Sequence, residues 1–499
     1  MEAGGAKKAD AGSSLLGGID LNLVVLFVFA LVIPFAFGTA DRIFGDGDVS
    51  WHLAAGQWMI SHGTVPHTDP FSFSAAGRPW VAHEWLSEVV MGAAYNLAGW
   101  GGIAALVSAS LFALMLVLWL EISRWLKPVV VAALLIAITV TMVPFLLARP
   151  MVLTWPLLAF WTVQLMHARE RRKAPSLWLV AVMLLWVNLH ASFALGLMLI
   201  APFALEALIE EPDKKRVIVG WSTFGVLCGL ACLANPNTYT TLLMPIGAFT
   251  DKNITLIQEF RPTDMSFTPG FEYALLLVLA ICLGRGAKIA PVRLLIILGM
   301  LHLAFQHMRH QVLFIIIAGL LIAKPVGATE EEEQKPADVA ARMRFLRIAA
   351  ATFVLLVGVT LVRPLSPPDS HVNPNAALAS VPAALRDKPV LNSYSLGGPL
   401  ILHGIRPFID GRTDLYGGPF VVDFKKLQNG DRRAFDTAQK RWNFQWALIS
   451  TDDQAMIAML YRSPDWRPIR ADRYSVMFVR GTPKPRVAGQ PVRADYVPS

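Results

Sequence analysis

The sequence predicts a polytopic α-helical membrane protein that ends in a soluble α/β domain, and three observations carry that expectation. Its 499 residues are 55% hydrophobic and only 16% charged, with a mean hydropathy of +0.49. A water-soluble fold of this length could not hide so much apolar side chain in one core. The apolar residues come in runs long enough to cross ~30 Å of hydrocarbon at roughly 20 residues each. Lys and Arg gather in alternate connections between those runs, as the positive-inside rule requires. The net charge of +8 thus records topology, and nucleic acid is not an expected partner.

About eleven transmembrane helices can be placed, near residues 21–38, 103–121, 128–146, 151–167, 176–190, 193–209, 217–234, 271–284, 291–306, 310–324 and 346–363. The first run, from Leu21 to Phe37, follows Lys7 and Lys8 and exceeds a usual signal-peptide core, which favours a retained helix. One set of connections holds Lys7 and Lys8, Arg124 and Lys127, residues Arg169 to Lys173, Lys214 to Arg216, Arg285 to Arg293, and the cations from Lys324 to Arg347. The alternating set is poorer in cations although its loops are longer: Arg42, Arg78, Arg149, Lys252, Arg261 and Arg309. Residues 1–20 are therefore expected as a cytoplasmic tail, 21–363 as the transmembrane domain, and 364–499, after an odd number of spans, as an extracytoplasmic domain. Cys228, Cys232 and Cys282 fall inside apolar runs with no metal-site spacing and read as packing residues.

Two regions interrupt the helical pattern. Residues 39–87, a long first external loop, are crowded with Asp, His, Trp and Pro, and 88–98 read as a short interfacial helix before Gly99, Gly101 and Gly102. Residues 235–270 read as a second external loop. Glu330 to Lys335 read as a solvated linker. From about residue 364 the composition shifts. Strand-like runs at Val390–Tyr394, Pro407–Asp410, Trp446–Ser450 and Tyr474–Val479 alternate with helix-like stretches near 397–404, 418–428, 431–441 and 453–461. That alternation indicates a small α/β domain.

The densest polar constellation lies in the first external loop: Asp46-Gly-Asp48-Val-Ser-Trp51-His52, then Trp58, His62, Asp69, and finally Trp80-Val-Ala-His83-Glu84-Trp85. Two carboxylates separated by glycine, just beyond a membrane helix, can bind a divalent cation or deprotonate a hydroxyl nucleophile. The plainer readings are that Asp48 is an N-cap and that the tryptophans anchor the loop in the headgroup belt. Other polar groups gather at the same ends of the spans, among them Arg149, Asn188, His190, Glu259, Arg261, His307, Arg309 and His310. Arg149, Arg261 and Arg309 suit a phosphate, because guanidinium meets its oxygens bidentately; snorkelling and internal ion pairs are the structural alternative. In the tail, Phe408-Ile-Asp410-Gly-Arg412-Thr-Asp414-Leu-Tyr416 reads as an Asp-Arg-Asp clasp at the end of a strand.

With Asp46 and Asp48 directly after the first span, Trp51 and His52 next, and the His83-Glu84 pair later in the loop, the layout resembles the GT-C superfamily of polyprenyl-phosphate-dependent membrane glycosyltransferases. It is also similar to bacterial membrane proteins that carry the pattern of Asp48, Trp51, His52, Leu53, Gly56 and Trp58 together with the Phe408-to-Gly417 motif. The resemblance implies a bacterial inner-membrane protein that transfers a sugar from a polyprenyl-phosphate donor to an extracytoplasmic glycan, lipid or protein acceptor. It implies Asp48 as general base and Asp46 or Glu84 as metal ligand or positioning group, with Mg or Mn at Asp46 and Asp48. It further implies His52, His83 and His190 as substrate-side partners, and Arg149, Arg261 or Arg309 as the group that holds the departing lipid phosphate. The chain lacks an adjacent Asp-Glu pair and a W-W-D-type motif in its tail, so no acceptor class carries over. A noncatalytic envelope scaffold is the competing class. A transporter fits less well, because its polar residues would sit near the midplane of several helices.

Overall fold

The computed structural model describes residues 21–36, 40–250, 261–327 and 339–481. The expected tail 1–20, Lys252, Glu259 and the linker from Glu330 to Lys335 lie outside the described residues. Two compact units divide the chain. One takes the residues up to Thr68 and Pro79–Pro368, and the other takes Asp69–Arg78 and the residues from Asp369 onward.

The first unit is helical: α1 (Leu21–Ala36), α2 (Ala40–Ile43), α3 (Asp48–His62), α4 (Trp85–Ile122), α5 (Pro128–Met142), α6 (Pro150–Glu170), α7 (Leu179–Leu189), α8 (Phe193–Glu210), α9 (Lys214–Ala231), α10 (Tyr239–Thr250), α11 (Pro269–Gly284), α12 (Pro291–Gln306), α13 (Gln311–Gly327) and α14 (Val339–Val362). A helix occupies each of the eleven positions at which the sequence suggests a span. Six described helices are long and apolar enough to cross a membrane: Trp85–Ile122, Pro128–Phe145, Pro150–Glu170, Phe193–Glu210, Met308–Gly327 and Met343–Val362. Four more apolar helices are shorter, Leu21–Pro34, Leu179–Leu189, Pro269–Gly284 and Pro291–Gln306. The loop expected at 235–270 contains α10, whose apolar residues Leu242 and Leu243 the sequence pattern does not extend to span length.

The burial pattern differs from that of a soluble bundle in its outer surface, which is apolar as well as the interior. Leu295 on α12 and Val354 and Leu355 on α14 present their side chains outward, while Trp119, Trp155, Trp161 and Trp186 are enclosed. Aromatic contacts tie the outer helices in, with Phe112 of α4 stacked on Phe353 of α14 at 4.1 Å. Charges carried into the interior are paired, as the cost of burying them demands: Glu206 of α8 receives Arg293 of α12 in a bidentate contact at 2.9 and 3.2 Å.

Within α4 the helix breaks at Ala98 and Gly99, where Gly99 takes φ 57 and ψ −143. No L side chain adopts that conformation easily, so glycine permits the turn. The break separates an amino-terminal segment from the long apolar one, matching the interfacial helix and the span that the sequence suggests. A second close approach sets α3 against that segment: a Cβ added at Gly56 would lie 1.8 Å from the Glu88 carbonyl oxygen. Only glycine lets the two backbones meet there.

The second unit contains α15 (Asn375–Ala379), α16 (Ala383–Arg386), β1 (Val390–Asn392), α17 (Gly397–Leu402), α18 (Thr413–Tyr416), α19 (Gly418–Gln428), α20 (Arg432–Trp442), β2 (Trp446–Ser450), α21 (Gln454–Tyr461), β3 (Trp466–Ala471) and β4 (Ser475–Arg480). The sheet order is β1-β2-β4-β3, with β1 parallel to β2 and the other pairs antiparallel. Leu378, Val390, Leu400, Trp446 and Met477 form its core.

One strand expectation needs correction, and one strand was not anticipated. Pro407–Asp410 is not a strand. The Asn392 side chain takes the place of a neighbouring ladder, accepting the Phe408 N–H at 2.8 Å and donating to the Ile409 carbonyl at 2.8 Å. Conversely, Trp466–Ala471 is an edge strand despite Pro468, which sits where the register with β4 shifts and where no ladder N–H is needed.

The loop segment Asp69–Arg78 belongs to this unit through hydrogen bonds and a buried clasp. Phe73 donates its N–H to the Pro407 carbonyl at 3.3 Å, and the Ser74 hydroxyl donates to the Phe408 carbonyl. Arg412 grips Asp410 through Nε and Nη2, at 2.8 and 2.7 Å, and Asp69 through Nη1 at 2.7 Å. The Tyr416 hydroxyl donates to Asp410 at 2.7 Å. The sequence suggested Asp414 as the second acid of the clasp. That residue is exposed in the first turn of α18, and Asp69 takes its place. Burial opposes Arg412's charge, yet the Asp410 carboxylate, with Tyr416 and Asp69, holds the guanidinium well above its ordinary range. Burial, reinforced by Asp410, likewise raises the Tyr416 phenol well above its ordinary value.

Candidate functional site

Asp46, Asp48 and Arg149 meet at the start of α3. Asp46 rather than Asp48 satisfies the opening of the helix, its Oδ1 accepting the Asp48 N–H at 3.1 Å, while Gly47 stands at the cap position without a side-chain bond. This corrects the reading of Asp48 as an N-cap: its carboxylate is directed at Arg149, with Oδ2 3.0 Å from Nη2. Arg149 Nε also donates to Asp46. Arg149 is positioned by Pro150, which begins α6 and fixes the preceding residue in extended geometry (φ −110, ψ 156). The side chains of all three remain partly open, between 17 and 19% exposed.

One turn farther along α3 sits His52. Asp48 and His52 are four residues apart and share a helix face. His52 Nδ1 lies 3.1 Å from Glu88 Oε1, and its Nε2 lies 3.8 Å from Glu84 Oε2. Glu84 stands at the start of α4 and Glu88 one turn on, so α4 presents both carboxylates to α3 at the Gly56 crossing. Two hydrogen bonds anchor this end of α4 against the end of α7: Trp85 Nε1 to Asn188 Oδ1 at 2.8 Å, and Ser87 Oγ to the Leu189 carbonyl at 2.8 Å.

That anchoring brings His190 to Glu84, with Nε2 3.2 Å from Oε1. His190 Nδ1 accepts the Ser192 N–H at 3.0 Å, so the ring proton belongs on Nε2 and points at the carboxylate. His83 Nε2 completes the group at 3.8 Å from Glu84 Oε1. Glu84 is therefore faced by His52, His83 and His190, and Arg309 lies within electrostatic reach of His190.

The structure thus brings together most of the residues that the sequence singles out. Asp46, Asp48 and Arg149 form one group, and Glu84, His52, His83 and His190 form a second, with Arg309 near it. Arg261 is on an exposed turn, where its carbonyl accepts the Met308 N–H at 3.0 Å, one residue before Arg309. Glu88 was missed. Its signal was the spacing from Glu84, four residues and one helical turn, once α4 is taken to begin at Trp85.

The expectation of a cation between Asp46 and Asp48 does not fit the contacts. The Arg149 guanidinium bridges both carboxylates and supplies the positive charge there. Among the described residues, the set whose ligand atoms converge, all within 4.8 Å of one another, is His52, Glu84 and Glu88. Chemically, the site offers a carboxylate aimed by a guanidinium, a second carboxylate among three imidazoles, and a nearby cation, which together suit proton removal beside an anionic leaving group.

No family model matches the sequence, and no curated protein matches it. Solved structures do. The archaeal oligosaccharyltransferase AglB from Archaeoglobus fulgidus, in complex with an inhibitory peptide and a dolichol-phosphate, aligns over 88% of this chain and 70% of its own, with a TM-score of 0.56 at 9% identity. ArnT from Cupriavidus metallidurans, bound to undecaprenyl phosphate, aligns over 93% of this chain and 98% of its own, with a TM-score of 0.51 at 14% identity. At such identities the likeness is one of fold. The chain shares its fold with these two proteins, which were solved with dolichol-phosphate and undecaprenyl phosphate.

Proposed function

We propose that the chain is a membrane glycosyltransferase that moves a sugar from a polyprenyl-phosphate donor to an acceptor on the extracytoplasmic side. The observation that carries this reading is Asp48: it opens α3 directly after the first apolar helix, aimed by Arg149 and one turn from the cluster around Glu84, in a fold shared with proteins solved with dolichol-phosphate and undecaprenyl phosphate.

Asp48 takes the proton from the acceptor hydroxyl. The freed oxygen attacks the anomeric carbon as the bond from that carbon to the carrier phosphate breaks, and the electron pair leaves on the phosphate. Asp46 and Arg149 hold Asp48 in position. Arg309, with His190 and His83, stabilises the departing phosphate, a role in which donors placed before the reaction contribute most. Glu84 orients those imidazoles. Arg261 borders the same end of the unit. A divalent cation, Mg or Mn, would be held by His52, Glu84 and Glu88, where it would add positive charge beside the phosphate; an imidazole among the ligands suits Mn better than Mg.

The cation-rich connections support an amino terminus in the cytoplasm. An odd number of spans would then put the tail unit on the extracytoplasmic side, as the cation count suggests.

The test pairs two measurements on full-length protein. Mass spectrometry of lipids retained under mild extraction should find a phosphate-linked isoprenoid. Asp48→Asn should lose roughly 10²–10⁴-fold in sugar transfer, the range of a lost general base, with its melting temperature unchanged. Full transfer by Asp48→Asn would remove the general base from this mechanism. A protein that retains no phospho-isoprenoid and transfers no sugar would be a scaffold instead.

A further inference from the structure

A second polar site lies at the other end of α6. That helix has 21 residues, about 30 Å at 1.5 Å per residue, so its Arg149 end and its Arg169 end stand a hydrocarbon thickness apart. At the far end, the carboxy-terminal turn of α6 and the connection from α8 to α9 enclose a cavity of about 120 Å³. Arg169, Arg172, Lys173 and Arg216 line it, with Glu211 and Asp213 as its acids and Trp221 as an apolar wall.

The acids are already engaged. Arg169 Nη2 donates to Glu210 at 2.7 Å and to Glu211 at 3.4 Å, and Asp213 caps α9 by accepting the Arg216 N–H at 3.0 Å. The cations are in excess. Arg169, a lining residue, is 95% buried, and its Nε–H has no hydrogen-bond partner among the described residues. A buried guanidinium donor left unmatched is costly, and a phosphate oxygen is a suitable partner. Lys214, Lys215 and Arg216 occupy the first turn of α9, the positive end of the helix dipole, where cations are unfavourable unless an anion accompanies them. Exposed apolar side chains follow the lining residues Ala174 and Val217 closely in sequence: Leu177 and Trp178 before α7, and Ile218 and Val219 on α9. A soluble anion needs no such surface, whereas an acyl chain does.

We propose that this cavity binds the phosphodiester headgroup of an anionic phospholipid from the leaflet opposite the Asp48 site. The phosphate is held by the Arg169 guanidinium and by the Lys173 and Arg216 side chains, and the acyl chains lie along Leu177, Trp178 and α9. Such basic recesses at the ends of membrane helices are a physical match for lipid headgroups.

Full-length protein in nanodiscs of equal phosphatidylcholine and phosphatidylglycerol, released for native mass spectrometry, tests this. The wild type should retain phosphatidylglycerol in several-fold excess. Lys173→Gln and Arg216→Gln, both on exposed side chains, should each reduce that excess about fivefold, with the thermal transition unmoved. Arg169→Gln should abolish it. Equal retention of the two lipids, or retention unaffected by the Lys173 and Arg216 changes, overturns the proposal. Displacement of the bound lipid by millimolar inorganic phosphate would make this a soluble-anion site and overturn it too.

Discussion

Two ionic clusters in this protein use the same side-chain chemistry for opposite ends. In the clasp of the second unit, Arg412, Asp69 and Asp410 are 0% exposed and meet at 2.7 to 2.8 Å, with a bidentate guanidinium and a tyrosine hydroxyl filling the remaining acceptor sites. Around Glu84 in the first unit, the imidazole–carboxylate contacts run from 3.1 to 3.8 Å, several side chains there and around Asp48 stay 10 to 21% exposed, and four carboxylates face three imidazoles and one guanidinium. The first arrangement is saturated and has nothing left to offer a ligand. The second is looser and wetter, so a substrate can replace some of its contacts without leaving a charge stranded.

The sharpest way to break this contrast is to remove one partner from each cluster. Arg412→Met leaves Asp69 and Asp410 buried without their cation and should cost about 3–5 kcal/mol of stability, visible as a lower melting temperature or failed expression. Asp48→Asn should change stability by no more than about 1 kcal/mol. Equal losses from the two would mean that the Asp48 group is structural.

A smaller effect is expected at the α3–α4 crossing. Gly56→Val forces the two backbones apart and should cost about 1–3 kcal/mol. It should also lower transfer by the remaining folded protein, because Glu84 and Glu88 withdraw from His52. Unchanged transfer per folded molecule would detach the Glu84 cluster from the chemistry.

The smallest effect concerns pH. The Tyr416 phenol is raised in the folded protein, so the folded state holds its proton more tightly than the unfolded one. Its contribution is complete below the ordinary tyrosine value near ~10 and shrinks as pH climbs from there through the raised value. Tyr416→Phe should flatten the alkaline decline in melting temperature measured between pH 9 and 11, whereas a decline identical to that of the wild type would show that this phenol carries none of the linkage.

Periodicity and composition alone determined the membrane class, the position of a helix at every expected span, the break at Gly99, four of the tail's helices and three of its strands. These are local properties: apolar run length, glycine's tolerance of positive φ, and alternation of side chains along a strand. Asp46, Asp48, Glu84 and the histidines stood out in the sequence because charge near a membrane is expensive. Tertiary structure decided the pairings. Arg149 could be read as a phosphate ligand, but only the packing of both α3 and α6 against α4 brought it to Asp46 and Asp48. Asp414 was the expected second acid for Arg412, but a loop hundreds of residues away supplied Asp69 instead. Pro407–Asp410 has strand-like composition, yet Asn392 satisfies its backbone, and Glu88 entered the site only because Gly56 lets two helices touch. Each of these depends on which distant groups meet, and a one-dimensional pattern holds no information about the distance between residues that are far apart along it.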